Sequence, residues 1–234
     1  MKFFKFTSLL TMSLLCSSTQ ALDNFDQSYI SIGIGFGAQN YALSSNNQLF
    51  NKYKQNFSLG WGHYFTDTTS YEIQYNSSKG QKNKLARLAS SDFMGVPLNE
   101  DLTVDTESTM TQFSTVIKQL FGFSDSPYGK TALIGVAGLS RGSMKHEVGV
   151  GEENNNLTPF KVRHSSFYPS LGLGLYLQPM RSSLFFSSIF MIHQTNRLGR
   201  TTKEFKDSSG TTLGIGTLAP KNTASLDISV HYLF

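Results

Sequence analysis

The sequence predicts an all-β fold, namely an eight-stranded antiparallel up-and-down β-barrel that spans a membrane. Apolar and polar residues alternate in eight separate segments, and this period of two gives a strand one oily and one polar face. Short and long connections between the segments also alternate along the chain. Aromatic residues make up 13% of the 234 residues and charged residues only 15%, against roughly 25% charged residues in an ordinary soluble domain.

The first 21 residues have the features of a secretory signal peptide. They begin with two lysines, continue with a mostly apolar stretch over residues 6–16, and offer small residues for cleavage after Ala21. This stretch is too short to cross a bilayer as a helix. We therefore expect residues 22–234 to form one exported barrel domain. Cys16 is the single cysteine and lies in the leader, so we expect neither a disulfide nor thiol chemistry in the exported domain.

The first four segments each set an apolar face against a polar or glycine-containing face. They cover residues 29–37, 56–65, 70–77 and 108–121. In the first, isoleucine alternates with serine and glycine, which predicts a strand with its small residues turned inward. The residues predicted to face lipid in these four strands are Ile30, Ile32, Ile34, Phe36, Phe57, Leu59, Trp61, Tyr71, Ile73, Tyr75, Phe113, Thr115, Ile117 and Phe121.

The last four segments follow the same rule, although the seventh is the least regular. They cover residues 128–139, 165–177 and 183–193, followed by a strand that closes at Phe234. A terminal aromatic residue on an alternating strand is typical of the closing strand of an outer-membrane barrel. The residues predicted to face lipid here are Ala132, Ile134, Val136, Phe167, Leu171, Leu173, Leu175, Leu177, Leu184, Phe186, Phe190, Ile192, Leu226, Ile228, Val230, Tyr232 and Phe234.

The connections between these segments differ in length from one side of the barrel to the other. Three are short turns, and four are long polar loops, which predicts turns on the periplasmic side and loops outside the cell. The turns cover residues 66–69, 122–127 and 178–182, and the loops cover residues 38–55, 78–107, 140–164 and 194–222. A ten-stranded barrel remains open, because residues 203–220 could form an extra hairpin.

These features together resemble the small eight-stranded outer-membrane barrels of the OmpA, OmpX and opacity type. The opening Tyr29-Ile30-Ser31-Ile32-Gly33-Ile34-Gly35 and the Pro127-Tyr128 pair before a glycine-containing fifth strand are similar to theirs. The resemblance implies a monomer in the bacterial outer membrane. Its partners would be outer-membrane lipids, lipopolysaccharide and, during insertion, the barrel-assembly machinery. The residues implied as the insertion signal are Leu226, Ile228, Val230, Tyr232 and Phe234.

Two charged residues are predicted to face the lumen near the periplasmic end. The alternation turns Glu72 and Lys118 inward on the third and fourth strands. Eight strands leave room for packed side chains only, and a buried charge without a partner is costly. We therefore expect an interior charge network of Glu72 and Lys118, joined by His231, that plugs the barrel. The alternative is a gate that opens a small pore.

One short motif carries possible chemistry. His193-Gln194-Thr195-Asn196 resembles the His-x-Ser-Asn signature of outer-membrane lipid A 3-O-deacylases, which implies His193, Thr195 and Asn196 as site residues. In that family a serine, activated by histidine, attacks the ester, and here Thr195 stands in its place. The alternative is a structural role, in which His193 faces the lumen beneath a polar loop. No metal or cofactor is expected, because the five histidines are dispersed and no metal-binding motif occurs.

Three function classes follow from this fold, which hosts many unrelated activities. The first is a non-enzymatic surface protein whose loops bind a host or envelope component or support envelope integrity. The second is a small-solute porin, and the third is a lipid A-modifying enzyme. The scattered basic residues argue against nucleic-acid binding. Six of them are candidates to meet lipopolysaccharide phosphates, namely Lys82, Lys84, Arg87, Lys145, Lys161 and Arg163.

Overall fold

A computed structural model of the chain describes residues 25–43, 48–80, 83–88, 102–152, 155–156, 160–199, 201–206 and 212–234. The predicted signal peptide lies outside the described residues. The strands are β1 (Ser28–Leu43), β2 (Gln48–Tyr64), β3 (Thr69–Gly80), β4 (Asn83–Leu88), β5 (Leu102–Ser126), β6 (Gly129–Glu152), β7 (Asn155–Asn156), β8 (Phe160–Pro179), β9 (Leu184–His193), β10 (Thr201–Lys206) and β11 (Thr212–Leu233). A 3-10 helix covers Thr195–Leu198.

Eight of the strands form a closed antiparallel ring. Its order is β1, β2, β3, β5, β6, β8, β9 and β11, and β11 pairs with β1 to complete the circle. Closure leaves these strands without an unpaired edge in the bilayer, where backbone groups find no water. The predicted eight-stranded barrel is therefore confirmed. The 3-10 helix is short, and no helix within the described residues is long and apolar enough to cross a membrane.

The two ends of the barrel are built differently. At one end, called here the turn end, tight connections at residues 65–68, 127–128 and 180–183 join neighbouring strands. At the other, called the hairpin end, the strands continue past the apolar part of the wall. This is the asymmetry of short turns and long connections that the sequence predicts.

The outward face of the ring is a continuous band of exposed apolar side chains. Leu173, for example, is 66% exposed and Phe113 is 61% exposed. A monomeric soluble protein rarely exposes so large a contiguous apolar surface, whereas lipid covers it at no cost. In seven of the eight strands the residues predicted to face lipid lie on this outward face, which confirms the predicted orientation.

The fifth barrel strand, β6, is the exception, and its predicted orientation is wrong. Ala132, Ile134 and Val136 are buried in the lumen, and Leu133 and Leu139 face outward instead. Over residues 132–139 this strand is apolar or small on both faces, so this part of the sequence contains no polar row to mark the inside. Pairing decides its orientation, because β5 and β8 both bring inward residues opposite Ile134 and Val136, and β8 brings Tyr176 opposite Ala132.

The predicted long loops are in large part strand. Pairing between β1 and β2 continues to Leu43 and Gln48, and pairing between β6 and β8 continues to Val148 and Phe160. The alternation of apolar and polar residues stops where the bilayer stops, because beyond it water reaches both faces of a strand. The sequence pattern therefore marks the end of the membrane, and pairing continues past that point.

The hairpin that could have made a ten-stranded barrel exists but lies outside the ring. β10 pairs only with the first part of β11, from Thr212 to Leu218. β11 begins to pair with β9 at Thr223, below this hairpin. The extra strand therefore extends one wall at the hairpin end and adds nothing to the circumference.

Candidate functional site

The turn half of the lumen is built around a buried ion pair. Glu72 of β3 forms a salt bridge with Lys118 of β5 and accepts a hydrogen bond from its ammonium group. Both side chains are almost completely buried. The Glu72 carboxylate also accepts hydrogen bonds from the hydroxyls of Tyr29 (2.8 Å) and Ser31 (2.8 Å) and from the Gln74 amide (2.7 Å). Charge-assisted hydrogen bonds of this kind offset the desolvation of a buried carboxylate.

Two glycines of β2 create the space for this cluster. A Cβ atom on Gly60 would collide with the Glu72 carboxylate, and one on Gly62 would collide with the Tyr29 ring. Both glycines point inward, where an eight-stranded lumen is narrow. These inward glycines therefore leave the space that the large polar side chains of the neighbouring strands occupy.

His231 lies beside the ion pair and is joined to it through an aromatic ring. Its imidazole stacks on Phe185 with 4.1 Å between centroids and meets the edge of Tyr29 at 5.4 Å. Nε2 of His231 pairs with the Ser187 hydroxyl at 2.8 Å, and within the described residues Nδ1 has no hydrogen-bond partner. The structure therefore places His231 next to the network of Glu72 but outside its hydrogen bonds.

An apolar layer completes the closure of the turn end. Tyr64 packs against Tyr29 with 5.4 Å between ring centroids, and Tyr176 packs against Phe185 at 5.0 Å. These rings are almost completely buried and fill the centre of the barrel. The aliphatic members of the same cluster are Val116, Leu120, Ala132, Ile134, Val136, Ile189 and Leu233.

The hairpin half of the lumen holds a chain of neutral hydrogen bonds. The Gln112 amide donates to Ser140 (3.0 Å) and accepts from the Tyr168 hydroxyl (2.7 Å). Ser140 pairs with Ser170 (3.3 Å), and Ser170 pairs with Nδ1 of His193 (2.8 Å). These side chains come from three strands, β5, β6 and β8, and end on His193 of β9, so the chain ties one wall of the lumen together.

The second nitrogen of His193 connects this chain to β11, the next strand of the ring. Nε2 lies 3.3 Å from the Ser225 hydroxyl, which in turn donates to the Asp227 carboxylate at 3.0 Å. A cavity of about 70 Å³, room for a few water molecules, lies beside these groups. Its polar lining includes Gln112, Ser140, Ser170, His193, Ser225 and Asp227.

The candidate catalytic residues His193, Thr195 and Asn196 do not converge. Thr195 is completely buried at the start of the 3-10 helix, and its hydroxyl donates to the carbonyl of Lys221. Asn196 is exposed on the same helix. His193 makes its hydrogen bonds to Ser170 and Ser225, and none of them goes to Thr195.

Ser170 is the hydroxyl that actually meets His193, and the motif does not contain it. The separation of 2.8 Å would suit a nucleophile and its base. However, Ser170 is only 2% exposed and faces the lumen, whereas acyl chains of lipid contact the other face of the wall. Only its inward position in the alternation of β8 could have singled it out from the sequence.

Among the described residues, no group of three His, Cys, Asp or Glu side chains could hold a metal ion.

Three further residues take part in the lumen networks but were not predicted from the sequence, namely Tyr29, Gln74 and Asp227. Tyr29 and Gln74 bind the Glu72 carboxylate, and Asp227 ends the chain that leads from His193. Each lies at an inward position of its strand, but the pattern cannot tell which inward residues of different strands meet.

A closed ring of eight strands with an apolar outer band and a plugged lumen is the fold of the small outer-membrane β-barrel proteins. Among solved structures, the outer membrane protein OprG of Pseudomonas aeruginosa matches with a TM-score of 0.53 and 8% identity, over 92% of this chain and 99% of that chain. A major outer membrane protein of Thermus thermophilus matches with a TM-score of 0.48 and 12% identity, over 88% of this chain and 99% of that chain.

Ail, the attachment invasion locus protein of Yersinia pestis, matches with a TM-score of 0.46 and 12% identity, over 90% of this chain and 99% of that chain. At these identities the likeness concerns the fold alone. No protein-family model matches the chain, and no curated protein matches it in sequence.

Proposed function

We propose that this protein is a closed, non-enzymatic barrel of the bacterial outer membrane that presents its extended hairpins at the cell surface. The hairpins bind a host or envelope component, or they contribute to the integrity of the envelope. The observation that carries the proposal is the contrast between a lumen filled at the turn end and strands that continue well past the apolar band at the hairpin end.

The filled lumen favours this function over that of a porin. The buried pair of Glu72 and Lys118 and the ring cluster around Phe185 occupy the centre of the barrel at the turn end. Opening a pore would separate two buried charges and unpack several aromatic rings. A static scaffold needs neither step.

The burial of Ser170 and Thr195 favours this function over that of a lipid A-modifying enzyme. Neither hydroxyl faces the outer surface of the wall, where the lipid chains lie. The contacts of His193 are those of a lumen hydrogen-bond network. We therefore assign it a structural role.

The experiment compares conductance with surface phenotype. Purified protein in planar bilayers is expected to give no stable channels. Cells that lack the gene, complemented with a variant in which residues 38–53 are replaced by a short turn, are expected to lose adhesion to cultured epithelial cells or resistance to detergent. The matched control shortens the turn-end connection at residues 180–183 and should complement fully. Stable ohmic channels, or full complementation by the variant with the shortened hairpin, would contradict the proposal.

A further inference from the structure

The two carboxylates Glu72 and Asp227, which both point into the lumen, have very different surroundings. Glu72 forms a salt bridge with Lys118 and accepts three further hydrogen bonds. Asp227 of β11 accepts a single hydrogen bond, from the Ser225 hydroxyl at 3.0 Å, and makes no salt bridge within the described residues. Lys118 acts on Asp227 electrostatically across the lumen but is already paired with Glu72. A carboxylate that is removed from water without a counter-charge of its own is costly.

A glycine of β1 brings an amide close to the Asp227 carboxylate. Gly35 is the register partner of Asp227 in β11 and of Asn56 in β2. A Cβ atom on Gly35 would collide with Oδ1 of Asp227 and would lie 3.3 Å from the amide nitrogen of Asn56. Both side chains therefore lean over β1 from opposite sides, and their polar ends approach each other above it.

The next inward position of β1 repeats this arrangement with two hydroxyls. Gly33 is the register partner of Ser229 in β11 and of Ser58 in β2, and a Cβ atom on it would collide with both hydroxyl oxygens. Within the part of the chain that the structure describes, neither hydroxyl makes a hydrogen bond, and the Asn56 amide makes none either. The inward face of β1 is therefore covered by a carboxylate, an amide and two hydroxyls whose bonding capacity is largely unused.

These four side chains line one side of the cavity of about 70 Å³. The far side of the same cavity, across the ring, is formed in part by Gln112 of β5 and Ser140 of β6, which are hydrogen-bonded to each other at 3.0 Å. The cavity therefore has one wall of paired polar groups and one wall of unpaired oxygens around a negative charge. A space of this size holds a few water molecules or an ion with part of its hydration shell, and it excludes a larger organic ligand.

A carboxylate surrounded by neutral oxygens is the donor set of a hard cation. Hydroxyl, amide and water oxygens can complete the shell of such an ion, and rotation of the Asn56 end group turns its oxygen toward Asp227. The charge of the site favours a monovalent ion. One carboxylate balances one positive charge, and Lys118 in the same cavity repels a second.

We propose that the hairpin half of the lumen is a binding site for an alkali-metal ion, Na⁺ or K⁺, held by Asp227. Asn56, Ser58, Ser229 and water supply the remaining oxygens. The ion links β11 to β2 across β1, and it thereby stabilises the seam at which the first and last strands close the ring. The plug of the turn end lies beneath it, so the ion is bound rather than conducted. The site lies inside the barrel and does not depend on the proposed role of the hairpins.

The test measures the ratio of folded to unfolded full-length protein by urea titration in phosphatidylcholine vesicles. These lipids carry no net charge, so the salt acts on the protein. NaCl, KCl and tetramethylammonium chloride are compared at equal ionic strength, and MgCl₂ forms a fourth series. Tetramethylammonium is the reference, because its methyl groups prevent oxygen atoms from coordinating the charge.

Na⁺ or K⁺ is expected to raise this ratio saturably, by about ten-fold at an ion concentration of about ten times the Kd, whereas tetramethylammonium should not. Asp227→Asn, which keeps the shape of the side chain, should abolish the increase. In tetramethylammonium chloride this variant should be at least as stable as wild type, because it has no uncompensated charge. Asp125→Asn, at an exposed position of the turn end, is the matched control and should keep the increase.

An equal increase in Asp227→Asn, or no difference between the three monovalent salts in wild type, would overturn the site. MgCl₂ that acts at a lower concentration than NaCl and depends on Asp227 would overturn the choice of a monovalent ion. The double variant Ser58→Ala/Ser229→Ala keeps the carboxylate and should shift saturation to a higher ion concentration. Unchanged saturation in this variant would contradict the shared oxygen shell.

Tl⁺, a heavy ion that resembles K⁺, locates the site directly by anomalous scattering from crystals of the wild type. The expected peak lies beside Asp227 and above Gly35, and the absence of a peak there would overturn the proposal without the need for a folded variant. Gel mobility of unboiled and boiled samples shows whether each variant is folded. The absence of channels and the hairpin-dependent phenotype would be unchanged by failure here, so the two proposals can be judged separately.

Discussion

The two halves of the lumen hold polar groups inside the same barrel in different ways. The turn half buries a full charge pair, with Glu72 and Lys118 surrounded by donors and by packed rings. The hairpin half is mainly a chain of neutral hydroxyl, amide and imidazole groups beside a cavity of about 70 Å³. Side chains fill most of the turn half of the lumen, whereas the hairpin half leaves room for water.

The turn half therefore contributes more to the stability of the closed barrel than the hairpin half does. Removing one member of a buried ion pair leaves an uncompensated charge, at a cost of about 3–5 kcal/mol. Losing one neutral hydrogen bond costs about 0.5–1.5 kcal/mol, and a nearby water molecule can replace it. We therefore expect substitutions in the turn half to have large effects and those in the hairpin half to have small ones.

The largest effect is expected from Lys118→Met. This change keeps an unbranched side chain only one atom shorter than lysine, but it leaves the Glu72 carboxylate without its cation inside the barrel. The free energy of unfolding should fall by about 3–5 kcal/mol, measured by urea titration of protein folded in lipid vesicles. Lys130→Met, near the turn end and outside the lumen cluster, is the matched control. A loss below about 1 kcal/mol would show that the pair is not a structural centre.

A smaller loss is expected from Gly62→Ala. The added methyl group would meet the ring of Tyr29, which is held by Tyr64, Phe185 and the Glu72 carboxylate and has little room to move. Overpacking of this kind costs about 1–3 kcal/mol. The same titration compares it with Gly135→Ala, whose methyl group would lie on the outward face of β6. Equal stability of the two variants would contradict the close approach of Tyr29.

A still smaller effect is expected from Ser170→Ala in the hairpin half. The variant loses the hydrogen bonds to His193 and Ser140, and the free energy of unfolding should fall by about 0.5–1.5 kcal/mol. Mass spectra of lipid A from cells that express wild type, Ser170→Ala or Thr195→Ala should be identical. If wild type alone removed an acyl chain, the non-enzymatic proposal would be wrong and the deacylase alternative would be favoured.

The smallest change is expected from the double variant Glu72→Gln/Lys118→Met. It removes both charges together, so that no unpaired ion remains, and the amide can still meet Tyr29 and Ser31. Replacing a whole buried ion pair is often close to neutral, so stability should return to within about 1 kcal/mol of wild type. A double variant as unstable as Lys118→Met alone would mean that packing, rather than charge, explains the loss.

The inward and outward sides of seven strands could be predicted because lipid and lumen impose opposite chemistry on alternate residues. The same reasoning turned Glu72 and Lys118 inward on neighbouring strands, and the structure joins them. It failed on β6, where both faces are apolar or small, and pairing with β5 and β8 decided the orientation. The alternation of apolar and polar residues also ends at the edge of the bilayer. The parts of the strands that extend beyond this edge were therefore predicted to be loops.

The local sequence pattern was sufficient to predict the fold class and the outward face of seven of the eight barrel strands. These properties depend on a local pattern with a period of two and on the chemical difference between lipid and water. Which inward side chains meet, such as Tyr29 with Glu72 and Ser170 with His193, was evident only from the tertiary structure. Such meetings depend on the register between strands far apart in the chain, and backbone pairing sets that register without leaving a local signal.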